Sequence, residues 1–362
     1  MKTFKYRLYP TKSQSSKMDK QLEICRQVYN GMLEHRKSEW ENKKNQVSAF
    51  DLINMLPKQK KERPELNQVH ADVLQNLSLR LEKAFKGFFA RIKKGDKPGY
   101  PRFKGRGRFR SMVFPKWGAG IRIQHDRLRI PKIGLVKIIY HRPCEGMPKT
   151  GTVTKHSNDW YLTISCEGDF RNLLPKTEKS CGLDLGVRSF CTTNEGIKID
   201  NPRFFEQDQK AVGKAQRKKK WGVVRKIYKR IVNKRHDFQF KLANQLVKDY
   251  DQIFVEDLNI NKMLTKRWCS KQISDVSWRS FLNILEYKAE NAGKQVVKVN
   301  PAYTSQTCSE CKTATTTSLK EEVFTCCSCG FSSDRDINAA KNIMTVGLYG
   351  LVGSNNLEDQ VT

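Results

Sequence analysis

Residues 181–190 read CGLDLGVRSF, residues 252–260 read QIFVEDLNI and residues 334–343 read DRDINAAKNI. In the first two, an acid stands in an apolar run: Asp184 between Leu183 and Leu185, Glu256 at the end of Ile-Phe-Val. Side chains alternate along a strand, so Asp184 faces away from its leucine neighbours. A carboxylate so placed is costly unless a cation or hydrogen-bond donors meet it. Asp336 falls in the first turn of a predicted helix. Acids brought by two strands and a helix from distant parts of the chain suffice to hold two Mg²⁺ or Mn²⁺ ions beside a phosphodiester.

Each acid alone has a plainer reading. Asp184 can close a turn with Gly186, and Glu256 can pair with a basic helix, leaving Asp257, which faces the other way, as an alternative ligand. Asp336 can serve the helix dipole and Asp334 the N-cap. Their joint occurrence, in the order found in a ribonuclease-H-like fold, favours catalysis. Between the second and third motifs lie Cys308-x2-Cys311-x14-Cys326-x2-Cys329. Two such knuckles offer four thiolates in tetrahedral reach, a closed structural zinc site with no position for water. Cys327 is an extra thiol, expected to point away. The remaining cysteines, among them Cys25, Cys144 and Cys269, stand in unrelated contexts.

Sixty-eight Lys+Arg against 37 Asp+Glu leave a formal charge of +31 on 362 residues. Such an imbalance opposes compaction unless a polyanion neutralises it, so nucleic acid is the expected partner. No amphipathic anchor or long apolar segment suggests a membrane. The start, MKTFKYRLYP, lacks the apolar core of a signal peptide, so a bacterial cytoplasm is expected.

Phe4, Tyr6 and Leu8 alternate in a first strand ended by Pro10. Met18, Leu22, Cys25, Tyr29 and Met32 mark a helix, then a charged stretch leads to a second helix from near His70 to about Gly95. Its stripe is Val73, Leu77, Leu81, Phe85 and Phe88. Short alternating strands follow up to residue 168, read as a small antiparallel barrel that includes the first strand. A second domain is expected from about Lys179: paired strands around Asp184 with a turn at Asn194–Gly196, and a helical stretch from Phe204 to Asp249 interrupted near Gly222. The strand IFVEDL, a helix with Trp278, Phe281, Leu282 and Leu285 inward, and the strand VVKVNP come next.

Two basic runs are candidates for nucleic-acid contact. In residues 210–236, Arg217, Lys218, Lys219, Arg225, Lys229 and Arg230 surround a stripe of Val224, Ile227, Tyr228 and Ile231. In residues 102–110, Arg102, Lys104, Arg106 and Arg108 are interleaved with Phe103 and Phe109, suiting phosphate contact and stacking on unpaired bases. The plainer reading of either run is a solvated charged face.

The chain resembles the TnpB (OrfB) family, RNA-guided nucleases of small bacterial insertion sequences related to type V CRISPR effectors. KYRLYPT, KAFKGFF, KPGYPRFK, GLDLG, VEDLNI, SWRSFLNILEYKAENAG, PAYTSQTCSEC, CCSCG and DRDINAAKNI carry the likeness, which spans nearly the whole chain. It implies an α+β architecture: a wedge-like β-barrel from residues 1–10 and 96–170, with a helical recognition insertion at 11–95. A RuvC/RNase H-like α/β nuclease domain then follows at 179–300 and 331–347, with an inserted four-cysteine zinc ribbon at 301–330 and a tail at 348–362. It also implies that Asp184, Glu256 and Asp336 are catalytic and hold Mg²⁺ or Mn²⁺. The implied partners are a guide RNA from the protein's own element and double-stranded target DNA. DNA is cut beside a short motif, which the helix carrying Gln75 and Asn76 would help to read. The alternatives are a compact type V CRISPR effector and a nuclease-inactive, RNA-guided DNA-binding repressor.

Overall fold

A computed structural model describes residues 1–265, 270–315 and 322–349. Cys269 and most of the expected tail lie outside the described residues. The chain divides into two compact units, Met1–Phe170 and Arg171–Thr362.

In the first unit, strand β1 (Lys2–Tyr9) is followed by helices α1 (Lys12–Lys43), α2 (Ala49–Glu62) and α3 (Ala71–Lys93). Strands β2 (Ser111–Phe114), β3 (Arg122–Gln124), β4 (Arg127–Ile130), β5 (Gly134–Ile139), β6 (Met147–His156) and β7 (Asp159–Glu167) complete it. The strands form one curled antiparallel sheet, ordered β2-β6-β7-β1-β5-β4-β3. β1 therefore sits at its centre, pairing with β7 from Lys2↔Cys166 to Leu8↔Trp160. Phe4, Tyr6 and Leu8 are buried, as their alternation predicts. The outer strands β2 and β3 are not hydrogen-bonded to each other, so the ladder does not close into the expected ring.

The charged stretch after Met32 does not end α1. Arg36 is carried inward, with its Nη1 2.8 Å from Glu82 Oε2 on α3, and the helix runs on to Lys43. Helix α2 escapes the periodicity argument: its buried stripe is only Ala49, Leu52 and Leu56, and Pro57 lies within it. Its start is set by a capping box between Ser48 and Asp51.

The second unit contains β8 (Ser180–Asp184), β9 (Ser189–Thr193), β10 (Lys198–Asp200), α4 (Phe204–Arg217) and α5 (Trp221–Asp249). Then come β11 (Gln252–Glu256), α6 (Ile260–Thr265), α7 (Ser270–Val276), α8 (Trp278–Ala292) and β12 (Gln295–Val299). A small hairpin, β13 (Val323–Thr325) and β14 (Ser332–Asp334), leads into α9 (Arg335–Tyr349). The main sheet is ordered β10-β9-β8-β11-β12. β8, β11 and β12 are parallel, and β9 and β10 are antiparallel. The break in the long helical stretch falls at Lys218–Lys220, and Gly222 lies inside α5.

Helices cover both faces of this sheet, and alternation along β11 shows which residue meets which layer. Ile253 and Val255 pack with Phe281 and Leu285 of α8, whereas Phe254 packs with Ile343 of α9. α9 lies close against the sheet because each side of the contact offers a glycine to the other, Gly182 of β8 against α9 and Gly347 of α9 against β11. A Cβ on Gly182 would overlap the Ala340 carbonyl oxygen and stand 2.7 Å from Met344 N, and one on Gly347 would overlap the Phe254 ring. This helix–sheet contact places the site.

Candidate active site

Glu256 shares the parity of Phe254, and Asp184 that of Gly182, so both carboxylates face the α9 side of the sheet. The parallel register pairs Leu183 with Val255, making Asp184 and Glu256 neighbours at the carboxyl ends of adjoining strands. From the crossing, Asp184 lies two residues along β8 and Asp336 about one helical turn along α9, each roughly 6 Å. The electrostatics agree. Burial, and then the charges of Glu256 and Asp336, push the Asp184 carboxyl up to about 8, with Arg335 opposing. Burial also raises Glu256, against a hydrogen bond from Thr304. All three predicted acids are thus brought to one place.

Their supports come from residues that periodicity did not mark. Thr304, almost fully buried, donates from Oγ1 to Glu256 Oε1 at 2.5 Å. Asn342 Nδ2 donates to the carbonyls of Thr304 (3.0 Å) and Thr307 (2.6 Å). Asn338 Nδ2 donates to Thr307 O at 2.8 Å, and its Oδ1 accepts from Ser309 N at 2.8 Å. Both amides are buried on one face of α9, four residues apart, a spacing visible in DINAAKN. Asp334 fills the capping role weighed for it: its Oδ1 accepts from Asp336 N (3.1 Å) and Ile337 N (3.3 Å), while Lys198 Nζ stands 2.5 Å from Oδ2. Asp257, the alternative ligand, is exposed.

The segment from Thr304 to Ser309 runs into the first cysteine knuckle. The sulfurs of Cys308, Cys311, Cys326 and Cys329 lie within 4.8 Å of one another. Cys308 and Cys329 are 3.8 Å apart, and Cys311 and Cys326 3.5 Å. Four thiolates at ~2.3 Å from a tetrahedral zinc would be separated by roughly 3.8 Å, so the set fits that ion. Amide donors from Cys329 and Ser328 bring the Cys326 thiol down to about 6. Cys327 stands outside the set, beside Thr315 Oγ1 at 3.5 Å. Among the described residues the thiols are the one such group.

A putative RNA-guided DNA endonuclease from Streptomyces pristinaespiralis is 32% identical over 96% of this chain and 89% of its own length. The chain belongs to the TnpB (OrfB) family. The putative RNA-guided DNA endonuclease InsQ of Escherichia coli K12 is 27% identical over 96% of the chain and 92% of that protein. Family profiles match at residues 1–45 (helix-turn-helix domain), 163–267 (probable transposase) and 278–343 (Cas12f1-like, TNB domain). Residues 1–45 nonetheless hold β1 and the single long helix α1 rather than a helix-turn-helix. A Cas12f1–sgRNA–target DNA complex aligns over 96% of this chain and 99% of its own, at 19% identity and a TM-score of 0.38.

The basic candidates are placed unequally. Arg102, Arg106, Arg108, Arg217, Lys218, Lys219 and Arg225 are exposed. Lys104 is half-buried, its backbone held by Asn30. Arg230 is paired with Asp208, and Lys229 is half-buried. Gln75 is exposed and Asn76 half-buried on α3. Two aromatic readings are corrected. Phe109 is buried, packed on Tyr29 at 6.0 Å with Arg80 over its ring, so it supports the core and only Phe103 of that run faces solvent. Tyr228 is 40% exposed instead of part of the buried stripe; its ring stacks on Phe205 of α4 at the rim of that cluster, 6.1 Å between centroids.

Proposed function

We propose that this chain is an RNA-guided DNA endonuclease of TnpB type. In this reading it binds a guide RNA derived from its own element and hydrolyses double-stranded DNA beside a short motif. The supporting observation is the convergence of Asp184 at the end of β8 with Glu256 at the end of β11 and Asp336 in the first turn of α9, where burial, and then the charges of the other two acids, hold Asp184 up to about 8. Carboxylates that repel one another in a half-buried site are stabilised by a divalent cation, and Mg²⁺ or Mn²⁺ fits their oxygen donors. Two such ions, when bound, supply an activated water and stabilise the leaving oxygen of the phosphodiester.

Around them the protein has its own tasks. Thr304 fixes the rotamer of Glu256, the Asp334 cap and Lys198 hold the start of α9, and the asparagines fasten α9 to the cysteine knuckle. The four thiols hold a structural zinc. We assign residues 179–300 and 331–347 to a RuvC-like nuclease domain and 301–330 to a zinc ribbon. The curled sheet of residues 1–10 and 96–170 is the wedge-like element, with the helices of 11–95 as its recognition insertion and 348–362 as a tail. The exposed cations on α4, α5 and the 102–108 loop supply phosphate contacts, whose affinity falls steeply with salt.

The test is cleavage of a matched plasmid by protein purified with its co-expressed RNA. Asp184→Ala should retain RNA and target binding while losing cleavage by at least about a thousandfold. Undiminished cleavage by that variant would remove the site assignment, and binding without cleavage by the wild-type protein in Mg²⁺ would favour the repressor.

A further inference from the structure

The motif KAFKGFF does not contribute to the nuclease site, and in the structure it builds a second feature in the first unit. Phe85 of α3 is buried, Phe88 is half-buried, and Phe89 is 53% exposed. Tyr100, 46% exposed, folds back onto them from the loop after α3. Its ring meets Phe85 edge-on at 5.5 Å and Phe88 at 5.4 Å, and Phe88 meets Phe89 at 5.1 Å. The loop is held there by Arg91, whose Nη2 donates to Gly99 O at 3.0 Å. Beneath the cluster the Arg36 guanidinium lies 4.3 Å from the Phe85 centroid.

A cluster meant only for the core would exclude water from its rings, whereas here two large aromatics stay half open. Lys86, Lys93 and Lys97 are exposed around them, with Asp96 as the acid of that loop. Lysine is depleted at protein–protein interfaces, which argues against a protein partner. Aromatic faces rimmed by cations match the platforms on which unpaired bases stack while phosphates meet the charges. Duplex DNA keeps its base faces in the stack, but a folded RNA presents unpaired bases in loops and ends before any strand opening. We propose that Phe89 and Tyr100 form a stacking site for an unpaired base of the bound RNA. The assignment rests on the RNA-guided reading for the origin of that RNA, while the stacking can be measured without cleavage.

The probe is a short single-stranded RNA carrying one 2-aminopurine, with a DNA of the same sequence and an RNA abasic at the labelled position. Each is titrated with the full chain. Wild type should quench the RNA probe, and Phe89→Ala should relieve the quench and weaken binding by about tenfold. Phe89→Trp should keep both, whereas Phe89→Leu, apolar but not aromatic, should behave as alanine. Tyr100→Ala is read beside its thermal melt; Phe89, being half open, tests the idea without depending on folding. The proposal is overturned if Phe89→Leu matches wild type, if the abasic RNA binds equally well, or if DNA is quenched more than RNA. Asp184→Ala serves as the control. Intact quenching without plasmid cleavage would sink the nuclease reading alone, and cleavage without quenching would sink the stacking site alone.

Discussion

The thiol cluster and the acid cluster of the second unit are built on opposite principles. The four thiols come from two knuckles, each with its pair of sulfurs three residues apart, and local amides already stabilise a thiolate on Cys326. The three acids come from β8, β11 and α9 and lie 72 and 80 residues apart in sequence, and burial, with the charges of the other two, holds Asp184 up to about 8. In the proposed reading, one region is prepared for its ion by local geometry, while the other stays strained until a cation arrives. Thr304, Asn338 and Asn342 join them, so the prepared region braces the strained one.

The most drastic way to separate the two is to remove zinc. Structural zinc in small Cys-rich domains is worth about 10 kcal/mol of folding free energy. A strong chelator should therefore open the 301–330 segment to proteolysis and abolish cleavage even with Mg²⁺ in excess. Protected segments and full activity in zinc-free protein would show that the two regions are independent.

Gly182→Ala attacks the strained region through its backbone. With the Ala340 carbonyl where the new methyl must go, α9 has to move, and about 3 kcal/mol of stability should be lost. A thermal melt measures this, and an unchanged melting temperature would show that α9 yields freely.

Proton competition separates the regions by pH. Without a cation the Asp184 carboxyl stays protonated up to about 8, and a hard ion binds only the ionised form. Mg²⁺ affinity should therefore rise by about tenfold per unit between pH 6 and 8 and flatten above that, as read by calorimetry. The metal-free fold carries the opposite slope. Its Asp184 keeps a proton that the unfolded chain releases above its ordinary value near 3.8, so stability should fall as pH rises towards 8. A flat Mg²⁺ profile would contradict the charge cluster.

The finest probe is Thr304→Val, which keeps the shape and removes one hydrogen bond to a carboxylate. Such bonds contribute ~1.5–3 kcal/mol, so half-saturation by Mn²⁺ should rise by about tenfold or somewhat more, with Thr304→Ser close to wild type. Equal metal binding by the valine variant would leave Thr304 as packing alone.

Local patterns were the legible part. Alternation in Phe4-x-Tyr6-x-Leu8 announced a buried strand, and two CxxC pairs announced a four-thiol cluster. Asp184 and Glu256 stood out because apolar strands expose the oddity of a carboxylate. The less legible elements had weak or mixed signals. α2 hides behind Pro57, and α1 continues through a polar stretch because Arg36 finds Glu82 on another helix. Phe109 and Tyr228 were misread since composition cannot tell an aromatic turned to solvent from one turned to the core.

Residue chemistry and spacing, then, were enough to name the acids, the thiols and the polyanionic class of partner, because those properties travel with each side chain or its near neighbours. Which acid faces which, what buttresses Glu256, and why a glycine must stand at 182 depend on strand register and on the approach of α9. Those are long-range contacts, set by how distant apolar faces pack together, and no window of neighbouring residues contains them.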